Sequence, residues 1–370
     1  MPDATPRRDL PPLARLPLAA LAVVTLIGGV LSGLARLGWT MPTWAVAAVG
    51  VHGALMISAF FGAVISLERA VALGRRWAYQ APLAAGLAGV ALLTGAPTTV
   101  SAGLAVYAAI VMVAANILVI RQLTATFTLV LGGGALCWLA GNLVWLATEM
   151  PAAATPWWFA FLVLTIAGER LELSRFIPTP KPAQRVFTLI VVAIVAGCVF
   201  SVLDETPGLA LFAGALLALS LWLLRYDIAW RNARMNGLPR FIALCLLSGY
   251  VWLAVAGGLG LAGGFSPGHP WRDGTLHALG LGFVFSMVFG HAPIILPAVA
   301  RIRIPYRPLL YLPLVALHAT LLLRVAGGLA DDFELRRCGA MANAIVLVLF
   351  FLVLFVSALM KPADGKDASR

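Results

Sequence analysis

Residues 274–299 read GTLHALGLGFVFSMVFGHAPIILPAV, a run of 26 residues without an Asp, Glu, Lys or Arg. Wound as an α-helix at about 1.5 Å per residue, it is long enough to cross the roughly 30 Å of hydrocarbon in a bilayer. Its only ionisable side chains are His277 and His291. The run therefore predicts a membrane helix that carries two imidazoles into an apolar environment, and the rest of the chain can be read outward from it.

The same pattern recurs along the whole sequence. Of 370 residues, 61% are hydrophobic and 11% charged, and the mean hydropathy is +0.96. Soluble domains carry roughly 45–50% apolar and about 25% charged residues, so water is not the solvent for most of this surface. A soluble enzyme, a disordered chain and a disulfide-stapled secreted domain are excluded. Apolar stretches near 15–37, 44–67, 78–96, 98–120, 125–148, 155–173, 185–203, 207–225, 240–263, 274–299, 308–328 and 337–360 predict an all-α, polytopic membrane protein. Twelve transmembrane helices are expected, because unpaired backbone groups are not tolerated in lipid. Residues 1–370 then form a single transmembrane domain, with short polar tails at 1–14 and 361–370.

Charge supports this segmentation. With the N-terminus inside, 21 of the 26 Lys and Arg residues fall on inner segments and 5 on outer ones, while the carboxylates split 8 to 7. Only Lys and Arg set membrane orientation, so both termini are expected on the cytoplasmic side. The net charge of +11 is thus read as basic loops at one membrane face rather than as a nucleic-acid surface. The opening MPDATPRRDLPPLARL leads into a long span without a small-residue cleavage site, which predicts an uncleaved first helix.

Spans 2, 6 and 10 look related. Each follows a Pro–Trp start, at Pro42-Thr43-Trp44, Pro156-Trp157 and Pro270-Trp271. Spans 2 and 6 also end alike, in Glu68-Arg69 and Glu169-Arg170. A period of four helices suggests three quasi-equivalent four-helix arcs. Glu68-Arg69, Glu169-Arg170 and Glu172-Arg175 read as ion pairs at helix ends, with an anion-holding role as the alternative. Cys137, Cys198, Cys245 and Cys338 lie on four different spans without CxxC spacing and read as packing residues. Asn116, Asn142 and Asp227 read as interhelical hydrogen-bonding groups. Gly132-Gly133-Gly134 and Gly257-Gly258 allow close packing or a break, and Pro293 and Pro297 are expected to distort span 10 after His291.

The candidate chemistry lies with histidine. His52, His277, His291 and His318 fall inside spans, and His269 in an outer loop. Ionisable residues at membrane depth are costly, and neutral imidazole is a good ligand for haem iron, copper or zinc. His277 and His291 are 14 residues apart, or 1400° on an ideal helix, about 40° short of four turns and separated by about 21 Å. One metal cannot take both. Depth matching gives His52 with His277 or His318 as an outer pair, and His291 with His318 as an inner pair. A haem held by two axial imidazoles fits such pairs. The alternative at each position is a helix–helix hydrogen bond.

Twelve spans in three arcs with histidines on helices 2 and 10 resemble the catalytic-subunit fold of haem–copper oxidases. The closer likeness is to the NnrS family of haem- and copper-containing membrane proteins. Residues His52-Gly-Ala-Leu-Met56-Ile-Ser-Ala-Phe60-Phe-Gly-Ala-Val-Ile65 resemble that family's second helix, and His277-Ala-Leu-Gly-Leu-Gly its His-Ala-Leu helix. The resemblance implies haem b on the histidines, with His52, His277, His291 and His318 as cofactor- and metal-binding candidates. It implies a role in nitric oxide metabolism or electron transfer, a small gaseous ligand or redox partner, and the bacterial inner membrane as location. The Ala54 and Leu55 positions depart from the family's His and Glu, and no His-His pair is present to support copper. A different reading is a cofactor-free transporter whose histidines couple protons or substrate.

Overall fold

The computed structural model describes residues 9–175, 180–300 and 304–360. The tails at 1–8 and 361–370, with Arg7, Arg8, Lys361, Lys366 and Arg370, and also Arg301 and Arg303, lie outside the described residues. The described residues are helical or in short connections, with no strand among them.

The rods, in chain order, are α1 (Pro12–Arg36), α2 (Thr43–Ala47, continued through Ala54–Phe61 to Gly62–Leu73), α3 (Gln80–Leu93), α4 (Thr98–Gln122), α5 (Thr126–Thr148) and α6 (Pro151–Ser174). They continue with α7 (Lys181–Leu203), α8 (Glu205–Tyr226), α9 (Leu238–Leu259, extended by Gly260–Gly264), α10 (Arg272–His277, then Ala278–Phe285, then Ser286–Ala300), α11 (Tyr311–Leu329) and α12 (Phe333–Leu359). Local sequence marks the ends. Proline sits in the first turn of α1, α6 and α7, where its missing N–H costs nothing. Gly74 closes α2 at φ 64°, a left-handed conformation that favours glycine. Asp332 caps α12 by accepting from the Leu335 N–H.

Eleven of these helices are long and apolar enough to cross a membrane. The exception is α3, whose 14 residues span about 21 Å. A tighter turn, Arg76–Tyr79, leads into it.

Three rods stand apart by burial. In α2, α6 and α10, 67% of the residues in the most apolar stretch are buried, against at most 56% in the other eight rods long enough to cross. These three touch one another, and the remaining rods pack around them. They are the rods with the Pro–Trp starts. Phe60 and Phe61 of α2 meet Phe285 of α10 at ring separations of 6.2 and 5.3 Å, so the central contact is aromatic. On the flank, a Cβ at Gly134 of α5 would lie 3.2 Å from the Phe161 carbonyl of α6, so glycine lets these two backbones close up.

Both ends of the bundle are tied. At one end Arg15 binds Asp9 at 2.6 Å and reaches the Val299 carbonyl, while the Tyr79 hydroxyl donates to Asp9 at 2.7 Å. At the other, the Trp39 ring lies under Arg337 and the Thr98 hydroxyl donates to Glu149. In the middle, Asn142 of α5 accepts from Ser58 of α2 at 2.7 Å and from the Trp158 indole of α6 at 2.9 Å. Its amide donates to the Ala105 carbonyl of α4 at 3.0 Å. Asn142 is thus an interhelical clamp across four rods. Asn116 is not, since its amide donates to Met112 of its own helix. Cys137, Cys198 and Cys245 are buried and Cys338 exposed, all as free thiols.

Rod α10 departs from α geometry, but not where its prolines are. The helix runs on past Pro293 and Pro297, although neither proline has an N–H to donate to the preceding turn. The wider i→i+5 winding comes earlier, over Ala278–Phe285, directly after His277. Rod α2 has a stretch of the same kind and the same length, Ala54–Phe61, just after His52. In α9 the winding loosens past the glycine pair, and Gly263 sits at φ 91°.

Candidate functional site

The structure brings His52 and His277 together. Their ring centres are 6.1 Å apart, with the planes inclined by 24°. Each ring is fixed through Nδ1. That of His52 lies 2.7 Å from the Gly29 carbonyl of α1, and that of His277 lies 2.8 Å from the Asp273 carbonyl one turn earlier. A carbonyl only accepts, so Nδ1 carries the proton in both rings and Nε2 keeps its lone pair. No hydrogen bond to either Nε2 occurs among the described residues. This is the arrangement of a metal-binding imidazole, whose second nitrogen is anchored on a backbone carbonyl.

Rod α1 supplies the wall behind His52. A Cβ at Gly33 would sit 2.8 Å from His52 Cε1 and 3.0 Å from Nδ1, and one at Gly29 would sit 2.5 Å from the Met56 sulfur. Gly33 therefore leaves the space that the ring fills, and Gly29, one turn earlier, leaves that of the Met56 side chain. Gly50 is exposed and Gly53 half-buried, and a Cβ at either would meet nothing within 4 Å.

Behind His277 stands an ion pair that the sequence did not reveal. Arg324 of α11 donates from Nε and Nη2 to the two carboxylate oxygens of Asp273, both at 2.8 Å. The Asp273 Oδ1 also lies 3.4 Å from His277 Nδ1. Asp273 thus holds His277 with its backbone and Arg324 with its side chain.

The other histidines stand alone. His291 is also anchored, with Nδ1 2.7 Å from the Met287 carbonyl, and its Nε2 is buried without a partner. It does not share the face of His277. A π-type bulge takes in one extra residue and offsets the phase of the residues beyond it by roughly 100°, so the count of 1400° does not apply. His318 has the opposite polarity. The Trp252 indole N–H donates to its Nδ1 at 3.0 Å, which takes that lone pair and leaves the proton on a buried, unpartnered Nε2. Among the described residues no ring contact or hydrogen bond joins His291 to His318. His269 packs edge-on to Trp271 in its loop.

Of the Glu–Arg neighbours, Glu172 and Arg175 pair as the sequence suggests and Arg170 does not pair with Glu169. Arg170 reaches away from Glu169 to Asp227, with Nε to Oδ2 at 3.0 Å and Nη2 to Oδ1 at 3.3 Å, both side chains being buried. Glu172 and Arg175 lie 3.9 Å apart and half exposed. Among the described residues, no group of three or more His, Cys, Asp or Glu gathers as a metal cluster.

A haem can be held by two imidazole nitrogens and needs no such cluster. His52 and His277 would be the residues to hold it, each through its Nε2 lone pair. The spacing of 6.1 Å and the two anchored Nδ1 atoms are compatible with such a group.

No curated protein and no solved structure matches the chain. A family model described as a domain of unknown function, DUF8744, matches residues 15–359. The match runs from the first turn of α1 to the last residue of α12, and so takes in both imidazoles of the pair. The chain belongs to the DUF8744 family.

Proposed function

We propose that this protein is a haem-binding membrane protein in which His52 and His277 hold one haem b between α2 and α10. The observation that supports this is the pair itself, two imidazoles from separate central rods with Nδ1 anchored and Nε2 free. When bound, such a group supplies one-electron redox chemistry. With both imidazoles committed to holding the group, the pair would favour electron transfer over nitric oxide binding. His291 is an anchored imidazole without a second ligand, and His318 offers no lone pair at Nε2.

The same reading has twelve crossings in three arcs around α2, α6 and α10, in the bacterial inner membrane with both termini cytoplasmic. The Arg76–Tyr79 turn together with α3 gives about 29 Å of helical rise, near a full crossing. The shared burial and Pro–Trp starts of α2, α6 and α10 support the threefold repeat.

The test is an absorption spectrum of detergent-purified protein made in haem-replete cells. A Soret band that sharpens on reduction is expected, and its loss in both His52→Ala and His277→Ala. A colourless preparation, or an unchanged spectrum in both variants, overturns the assignment and leaves the carrier reading.

A further inference from the structure

A second site lies far from the imidazole pair, at the end of the bundle where α6 and α8 finish and α7 begins. There a cavity of about 590 Å³ opens between α5, α6, α7 and α8. That is the size of a small-ligand pocket. Its rim carries Arg170, Arg175, Lys181 and Arg185, and its only carboxylate among the described residues is Asp227. Arg170 and Asp227 neutralise each other in the floor. The charge left over is positive.

Lys181 and Arg185 dominate that charge. They are one helical turn apart on the first turns of α7, so both face the same side, and both are exposed. Pro180 gives this helix start no side-chain cap, so the N-terminal dipole adds to the field. The inner wall is aromatic, formed by Phe187 and Trp222, whose rings are 4.7 Å apart. The Trp222 indole is already committed to the Ala183 carbonyl, so the wall presents ring faces rather than a donor. Beside the cations, α7 turns apolar and exposed, at Val186 and at Leu189, which is 67% exposed. A cationic mouth, an aromatic wall and a lipid-facing apolar strip meet within three turns of one helix.

We propose that this pocket binds a phosphate-bearing anion, either the headgroup of an anionic phospholipid or a free phosphorylated molecule, through Lys181 and Arg185. Basic pockets between membrane helices hold anionic headgroups by this charge complementarity. The adjoining apolar strip would carry acyl chains.

The experiment uses the full chain, delipidated in neutral detergent. It is titrated by calorimetry with phosphatidylglycerol in mixed micelles and, separately, with inorganic pyrophosphate. Lys181→Ala/Arg185→Ala is compared with Arg231→Ala/Arg234→Ala, which removes the same charge from the loop after α8. Affinity is expected to fall at least about tenfold in the first variant and to stay near wild type in the second. Binding of the lipid alone assigns a headgroup site, and binding of pyrophosphate assigns a soluble anion. Equal affinity in the two variants, or no binding of either probe, overturns the proposal. The haem spectrum does not enter this readout, so the two proposals stand or fall separately.

Discussion

Arg324 grips both carboxylate oxygens of Asp273 at 2.8 Å, and the backbone of the same aspartate holds His277. A fork-to-fork pair of this kind is among the stronger polar contacts a protein makes. Removing one member leaves the other charge without its partner. Arg324→Met is therefore expected to cost about 3 kcal/mol. The double variant Asp273→Asn/Arg324→Met is expected to recover more than about 1 kcal/mol of that loss. Unfolding in detergent, measured as a double-mutant cycle, checks the coupling. Additive losses would show that the pair contributes nothing beyond its separate members.

Gly33 gives the sharpest steric handle on the site. Its missing Cβ leaves the place where the His52 ring lies, 2.8 Å away. Gly33→Ala is expected to push that ring off the Gly29 carbonyl and to lower haem content while the protein still folds. Gly103→Ala, where a Cβ meets nothing, serves as the control and is expected to be neutral or to stabilise its helix by up to about 1 kcal/mol. Haem-to-protein ratios after purification read the difference.

Asn142 and Asn116 look equivalent in sequence and are expected to behave differently. Asn142 loses three interhelical bonds when replaced by Leu, at about 0.6 kcal/mol each, or about 2 kcal/mol in total. Asn116→Leu loses one bond within its own helix and is expected to cost less than about 0.5 kcal/mol. Thermal unfolding of the two variants side by side decides it.

His318 is expected to be silent in the spectrum. The Trp252 N–H occupies its Nδ1, so the ring serves as a hydrogen-bond acceptor between α9 and α11. His318→Gln should leave the Soret band in place. A lost or shifted band would show that this ring ligates after all.

Most of the fold was legible because membrane crossing is a demand on length and apolarity alone. The run at 274–299 and its relatives satisfy that demand residue by residue. The exception, α3, has only 14 α-helical residues, and its tight Arg76–Tyr79 entry turn has no apolar signature. The central place of α2, α6 and α10 was hinted at by Pro–Trp starts, which mark position along a helix but not what surrounds it. At the site, depth matching offered His277 or His318 as the partner of His52, and the ring beside His52 is that of His277. Depth matching could not find Asp273–Arg324 or Arg170–Asp227, because those partners lie 51 and 57 residues apart and meet only through packing. The shared face of His277 and His291 was misread for a physical reason. Helical arithmetic assumes uniform winding, and nothing in Ala278–Phe285 announces an extra residue.

That extra residue makes α10 a rod with two registers. Cutting one amino acid from 278–285 would rewind it to ordinary pitch. With one residue fewer, His277 and His291 would stand 13 residues apart, or about 1300°, which is about 140° short of four turns, so the lower imidazole would keep its own azimuth while the upper ring stayed seated. A single in-frame codon thus sets the pitch of the rod beneath the upper ring without ever lining the two imidazoles along one seam.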